Sequence, residues 1–346
     1  MRNCPFTTGF YGAKLSHRWT VFQEKLYPAG RSGSRHDRTG TDDLQHVTSI
    51  EAEPLSEGGG RLKTGFIGAG KVGCSLGKLL TTRGMTVSGY YDRDTQFAEE
   101  AAQFTNTKAF DAPEALIEES DVLFITVPDG LISAVFDGIR TLPIEGKYIC
   151  HCSGSISSED AFPGIGSTDA YEYSVHPLFA VSSRFDAYQE LSDAFFTLEG
   201  NASHIGEMSS YLEQAKLRWQ IIDPAAKTRY HLAAVYASNL MLALIDKGIA
   251  LLQACGFSEE DARSALTPLI TGNVRHALEE GPARALTGPV ERGDITTLRR
   301  HLQVPDSEEA RQLYKLLSAR LLHLAEAKNP DRDYSALETF LKGTDK

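Results

Sequence analysis

The chain has 346 residues, enough for about two domains with ample core. Its 35 Lys and Arg against 46 Asp and Glu leave a net charge of −11, which argues against a nucleic-acid or anionic-membrane partner, and no apolar run approaches the ~20 residues of a membrane span. Five cysteines, with Cys150 and Cys152 too close for an ordinary staple, predict free thiols in a reducing, cytoplasmic setting.

Residues 1–60 do not read as core. Gly30 to Gly40 is polar and glycine-rich, and Gly58-Gly59-Gly60 reads as a hinge, so an N-terminal extension, mostly disordered, is expected. Seven Lys/Arg and two acids up to Thr41 faintly echo a transit peptide, although a floppy tail or an upstream start codon is the preferred account.

From Arg61 to Asp92 the pattern is strand, tight turn, helix, strand. The apolar run Thr64 to Ile67 ends in Gly68-Ala69-Gly70-Lys71-Val72-Gly73. A dinucleotide needs glycines at these points. Gly68 makes the turn, Gly70 lets the pyrophosphate approach the backbone, and Gly73 lets the helix lie close on the strand. The helix start, including Ala69, Lys71 and Val72, offers N–H groups and partial positive charge to phosphates. Asp92 ends the second strand, where a carboxylate binds ribose hydroxyls and repels a 2′-phosphate. Arg93 follows, and Arg suits a 2′-phosphate. The cofactor expected is NAD or NADP, with a slight lean to NAD.

A helix is predicted over Gln96 to Phe104, a strand over Lys108 to Phe110, and a short helix from Pro113 to Glu118. Asp121 to Val127 is a continuous apolar run, as a strand buried on both faces requires. It ends at Val127-Pro128-Asp129, with Val127 and Pro128 as candidate cofactor contacts. A helix over Leu131 to Ile139 and a strand over Lys147 to Cys152 follow. Glu172 to Val175 is a further strand ending in His176-Pro177. Ala194 to Leu198 and Trp219 to Ile222 read as edge strands around a helix from His204 to Lys216. This alternation predicts an α/β fold: a doubly wound parallel Rossmann sheet over 61–223. Ligands of such sheets bind beyond the carboxyl ends of the strands, where Asp92, Pro128, Ser153 and His176 stand.

After Asp223-Pro224 no strand pattern recurs. Residues 224–346 are expected to form an all-helical domain for substrate binding and dimerisation. Ala225 to Ala254 reads as one long Ala- and Leu-rich helix, and a substrate cleft is expected between the domains.

Ser153, in a Ser-Gly turn, could present a hydroxyl to substrate, or be turn chemistry alone. His176 could reach substrate, or be satisfied within its loop. Cys152 lacks a nucleophile elbow, and a buried strand cysteine is inert, so thiol chemistry is set aside. Lys227 and His231 are four apart, with Ser238 and Asn239 two turns on, forming a polar line on a core-like helix. Lys227 or His231 could supply the proton that hydride transfer requires, while Asn239 orients substrate. A start-of-helix lysine, a satisfied histidine and a bridging amide are the alternative. In Ala285 to Asp294, Asp294 reads as an N-cap. Arg292 could hold an anionic substrate group or pair with an acid. No metal site is expected.

These motifs are similar to those of bacterial Rossmann-like proteins with a C-terminal helical domain of unknown function. These are relatives of pyrroline-5-carboxylate reductase, the β-hydroxyacid dehydrogenases and the deazaflavin-dependent NADP oxidoreductases. The resemblance runs from Leu62 to Leu302. It rests on IGAGKVG (Ile67 to Gly73), VPD (Val127 to Asp129), HCSG (His151 to Gly154), HPL (His176 to Leu178), YHLAAVYASN (Tyr230 to Asn239), and ALTGPVERGD (Ala285 to Asp294) with His301. It implies an NAD(P)-binding oxidoreductase fold, often a homodimer through the helical domain, and no particular substrate. In the β-hydroxyacid dehydrogenases a Ser-Gly turn and a Lys, with Asn one turn later, form the active site. Ser153-Gly154 and Lys227 match, whereas His231 stands where those relatives have Asn. Family members often carry Ser-Arg after the second strand, suiting NADP, where this chain has Asp92-Arg93.

The expected function is therefore hydride exchange between NAD(P) and a small polar carbonyl, hydroxy or imine compound. The alternative is a dinucleotide sensor or scaffold without turnover.

Overall fold

The computed structural model describes residues 62–305 and 307–343. The expected N-terminal extension over 1–60 lies outside the described residues. The chain divides into two compact units, Met1–Ala237 and Ser238–Lys346.

The first unit is built on eight strands: β1 (Lys63–Ile67), β2 (Thr86–Tyr91), β3 (Lys108–Ala109), β4 (Val122–Ile125), β5 (Tyr148–His151), β6 (Tyr171–Pro177), β7 (Phe195–Gly200) and β8 (Arg218–Ile221). Their spatial order is β3-β2-β1-β4-β5-β6-β7-β8. The order reverses between β1 and β4, the switch point at which open α/β sheets bind ligands. The sheet is parallel apart from one pair: β7 runs antiparallel to β6. The connection from Leu178 to Ala194 has only a one-turn helix, Tyr188–Leu191, so the chain returns along the neighbouring edge without a full crossover.

The helices of this unit are α1 (Lys71–Thr82), α2 (Thr95–Thr105), α3 (Pro113–Glu118), α4 (Ile132–Ile139), α5 (Ser158–Ala161), α6 (Tyr188–Leu191), α7 (Ile205–Gln214) and α8 (Lys227–Ala237). They cover a sheet that is apolar on both faces. β4 (Val122, Leu123, Phe124, Ile125) is at most 1% exposed, as its unbroken apolar run requires. On one face Phe66 stacks on Tyr90 and Phe124, beside Leu76, Leu80, Phe196 and Leu212. On the other, Ile67, Leu123 and Ile149 pack with Phe136, Ile139 and Phe162.

The strand pattern ends near residue 223, but the compact unit continues to Ala237 because Lys227 at the head of α8 is buried against the sheet. The expected single helix from Ala225 to Ala254 is interrupted at Ser238, whose ψ of −79° is not helical. Beyond Arg229 only Asp246 and Lys247 add full charges before Ala254. Taken across the interruption at Ser238, Pro224–Ala254 contains an 18-residue window of mean hydropathy 1.4 and is, by length and composition only, long and apolar enough to cross a membrane, against the expectation that no such stretch exists.

The second unit is helical: α9 (Asn239–Ala254), α10 (Glu259–Glu280), α11 (Pro282–Ala285), α12 (Pro289–Arg292), α13 (Ile295–His301), α14 (Glu308–Lys328) and α15 (Ser335–Lys342). Ser258 caps α10 and Asp294 caps α13, each accepting the N–H three residues on. Its core gathers Val290, Leu298, Leu322, Ala325, Leu337 and Leu341.

Candidate functional site

The turn after β1 is held from both sides. On the β4 side, Thr126 donates its hydroxyl to the Gly68 carbonyl at 2.6 Å. On the β2 side, the Ala69 N–H donates to Asp92 Oδ2 at 2.7 Å and the Gly68 N–H to the Tyr91 carbonyl at 2.8 Å. The Asp94 N–H binds the other Asp92 oxygen at 3.0 Å, so the carboxylate is anchored at both oxygens.

The three glycines have different physical reasons to be glycine. Gly68 sits at φ +103°, and a Cβ there would lie 2.9 Å from the Thr126 carbonyl carbon. At Gly73 a Cβ would lie 2.4 Å from both the Gly68 carbonyl oxygen and Thr126 Oγ1, so helix and turn touch only because the side chain is absent. At Gly70 the nearest atom to such a Cβ is the Thr126 carbonyl oxygen at 3.9 Å, and Gly70 has an ordinary φ of −71°. The fold itself leaves that position open. Gly70 is also the N-cap of α1 and supplies no side-chain cap. The first turn of a helix has N–H groups without intrahelical partners, and an open cradle in front of them fits a diphosphate. Lys71 and Arg93 are exposed, Val72 is half-buried, and Val127 packs a methyl group against the Gly68 turn.

Two strands away lies a polar cluster. Ser153 Oγ, just past β5, donates to Asp129 Oδ2 at 2.6 Å. Ser155 Oγ donates to the same oxygen at 3.1 Å. Asp129 opens a 3₁₀ turn, Asp129–Leu131, directly after Pro128 and just past the end of β4. His176, near the end of β6, places Nδ1 at 2.7 Å from the Tyr230 hydroxyl on α8. Gly154 accommodates the imidazole, since a Cβ there would stand 2.7 Å from His176 Nε2.

Residues 52–177 match the Rossmann-like domain model, and residues 194–321 match the domain of unknown function DUF2520. The chain is a Rossmann-like domain followed by a DUF2520 domain. Among solved structures it is similar to protein TM1727 of Thermotoga maritima at 24% identity, covering 77% of this chain and 99% of that one, with a TM-score of 0.61. It is similar to BF3122 of Bacteroides fragilis, named as a candidate NADP oxidoreductase, at 24% identity, 76% and 98% coverage and TM-score 0.55. A pyrroline-5-carboxylate reductase from Coxiella burnetii aligns at 12% identity, 83% and 100% coverage and TM-score 0.52. These likenesses are of fold. No curated protein matches.

Beneath the cluster is a buried charge network that no sequence motif announces. Glu199 on β7 is 0% exposed and Lys227 is 2% exposed. Lys227 Nζ lies 3.4 Å from Glu199 Oε1 and donates to Ser174 Oγ. Ser174 in turn donates to the Ser153 carbonyl at 3.3 Å. Glu199 also accepts the Ser158 N–H at 2.9 Å and its hydroxyl at 2.8 Å. Burial pushes the Lys227 amine down, and the Glu199 carboxylate opposes that push. Burial lowers His176 to about 4, with the Lys227 and His231 charges adding to the shift and Asp129 opposing it. Burial lowers His151 to about 3, with Lys227 again contributing. Burial raises Tyr230, so its hydroxyl keeps its proton.

The expected residues therefore separate. Ser153, His176 and Lys227 come together, with Asp129, Ser155, Ser174, Glu199 and Tyr230 added by the structure. His231 is half-buried on α8. Asn239 and Arg292 belong to the second unit and are exposed there. Within the Ala285 to Asp294 loop it is Glu291 that is held: its carbonyl accepts from Arg332 at 2.6 Å and from the Tyr334 hydroxyl at 2.5 Å. Cys152 stands one residue past β5 rather than in the strand, and burial pushes its thiol up to about 12, so it stays protonated and unreactive.

Proposed function

We propose that the chain is an NAD(P)-dependent oxidoreductase acting on a small polar molecule with a carbonyl, hydroxy or imine centre. The observation that carries this is the contrast among the glycines: Gly68 and Gly73 are required by the fold, whereas Gly70 faces open space at the head of α1. An open backbone cradle at the switch point is what a bound diphosphate explains. When bound, the nicotinamide supplies hydride exchange at its C4.

The chain's own residues bind, orient and move the proton. Tyr230 and His176 form the proton-moving pair, a protonated hydroxyl against a neutral imidazole 2.7 Å away. Ser153, Ser155 and Asp129 hold the substrate. Lys227 is the buried cation that helps keep His176 neutral, held in place by Glu199 and Ser174. For the cofactor we favour NAD, because Asp92 is anchored by the Ala69 and Asp94 N–H groups and cannot swing away from a 2′-phosphate.

We also propose a soluble, cytoplasmic homodimer through the second unit, in which a second copy covers Leu240, Leu242, Leu244 and Leu251, all exposed in the single chain. Light scattering in detergent-free buffer tests the dimer: a monodisperse dimer is expected, and a monomer or a detergent requirement contradicts it.

Turnover is tested by following reduced nicotinamide against a panel of small carbonyl and imine compounds. Tyr230→Phe should lower the rate about 10²- to 10⁴-fold and leave cofactor binding unchanged. Cofactor binding without turnover of any compound would favour a sensor or scaffold.

A further inference from the structure

Ser153 and Ser155 both direct their hydroxyls at Asp129 Oδ2, at 2.6 and 3.1 Å. A serine hydroxyl has one hydrogen and two lone pairs. The two hydroxyls also lie 3.2 Å apart, so whichever of them donates to the other, both hydrogens are taken up within the cluster. Ser153 Oγ also accepts the Ser155 N–H at 3.2 Å. What the cluster offers a ligand is lone pairs and a negative charge. Asp129 and Ser155 are exposed, so those acceptors are accessible. Lys227, whose charge reaches this region, is itself paired with Glu199.

The donor count decides the ligand class. A carboxylate or phosphate would meet like charge, and a ketone oxygen would find neither serine hydrogen free to donate. A protonated nitrogen brings both N–H donors and the complementary charge, and charge-assisted hydrogen bonds are the strong ones.

We propose that Asp129, Ser153 and Ser155 form a site that selects a protonated nitrogen, an ammonium or iminium group on a small molecule. The proposal rests on the oxidoreductase reading for its place beside the cofactor. It narrows the substrate to an amine or imine.

The test uses the full chain and three ring-matched probes: pyrrolidine, which is protonated at neutral pH, cyclopentanol and cyclopentanecarboxylate. Cofactor-induced thermal shift is measured first. Absence of that shift overturns the oxidoreductase reading and this proposal with it. With cofactor saturating, pyrrolidine should raise Tm at millimolar concentration and bind about tenfold or more tightly than either of the other probes. Asp129→Asn should remove the pyrrolidine shift and keep the cofactor shift, while Ser155→Ala, which retains the charge but removes one acceptor, should weaken the pyrrolidine shift less than Asp129→Asn does and keep the cofactor shift. The proposal is overturned if pyrrolidine gives no shift, if the alcohol or carboxylate binds as well, or if Asp129→Asn binds pyrrolidine unchanged.

Discussion

Lys227 Nζ and Glu199 Oε1 stand 3.4 Å apart, with both side chains withdrawn from water. Removing one member of a buried pair leaves the other charge uncompensated, at a cost of about 3–5 kcal/mol. Glu199→Gln should therefore destabilise the first unit by about that amount in urea denaturation. The double variant Lys227→Met/Glu199→Gln should lose less than the two single variants added together. Strict additivity would show that the two groups do not interact.

The glycine turn gives a second prediction. Gly70→Val should fold and lose no more than about 1 kcal/mol, the worth of a helix cap, because nothing lies closer than 3.9 Å to the added Cβ. It should lose dinucleotide binding. Gly73→Ala should lose more stability, because its Cβ would lie 2.4 Å from the Gly68 carbonyl oxygen. Thermal melts with and without cofactor separate the two cases. Equal behaviour of the two variants would contradict the assignment.

His176 and His151 give a pH dependence. An ordinary histidine titrates near ~6.5. Burial lowers His176 to about 4 and His151 to about 3. Between these values and ~6.5 the unfolded chain binds more protons than the folded one, so stability rises with pH across that window. The His176 contribution is fully present above ~6.5 and is lost progressively as pH falls to about 4. Denaturant melts across that window should show this loss, and His176→Gln should reduce it. An unchanged slope in the variant would remove His176 from the account.

The cofactor preference turns on Asp92. NAD should bind more tightly than NADP, and Asp92→Asn should narrow the gap by removing the fixed negative charge. Fluorescence titration of the reduced cofactors reads this directly, and tighter NADPH binding by the parent protein would reverse the preference.

The sheet is legible in the sequence wherever local pattern suffices. The run from Val122 to Ile125 is buried on both faces, and an unbroken apolar stretch is its direct signature. The glycine turn is legible because Gly68, Gly70 and Gly73 stand between a strand and a helix. The antiparallel setting of β7 is not, because a strand's own residues do not record its direction relative to β6. Glu199 is hidden for a related reason. A lone acid at the end of an apolar strand finds its partner Lys227 only through the three-dimensional path, since the two are far apart in sequence. Asp129 stands in view after Pro128, but its bond to Ser153 depends on β4 and β5 lying side by side. Tyr230 falls within a recognisable motif, and its contact with His176 becomes visible only once α8 is laid against β6.

The central claim is that the backbone after β1 binds a nicotinamide dinucleotide. A thermal-shift titration of the full chain with NAD, NADH, NADP and NADPH tests it most directly. A ligand at ~100 times its dissociation constant adds about 2.7 kcal/mol to stability. The account predicts a clear rise in Tm with at least one of the four in the parent protein and none in Gly70→Val. No rise with any of them, or an equal rise in Gly70→Val, would contradict it.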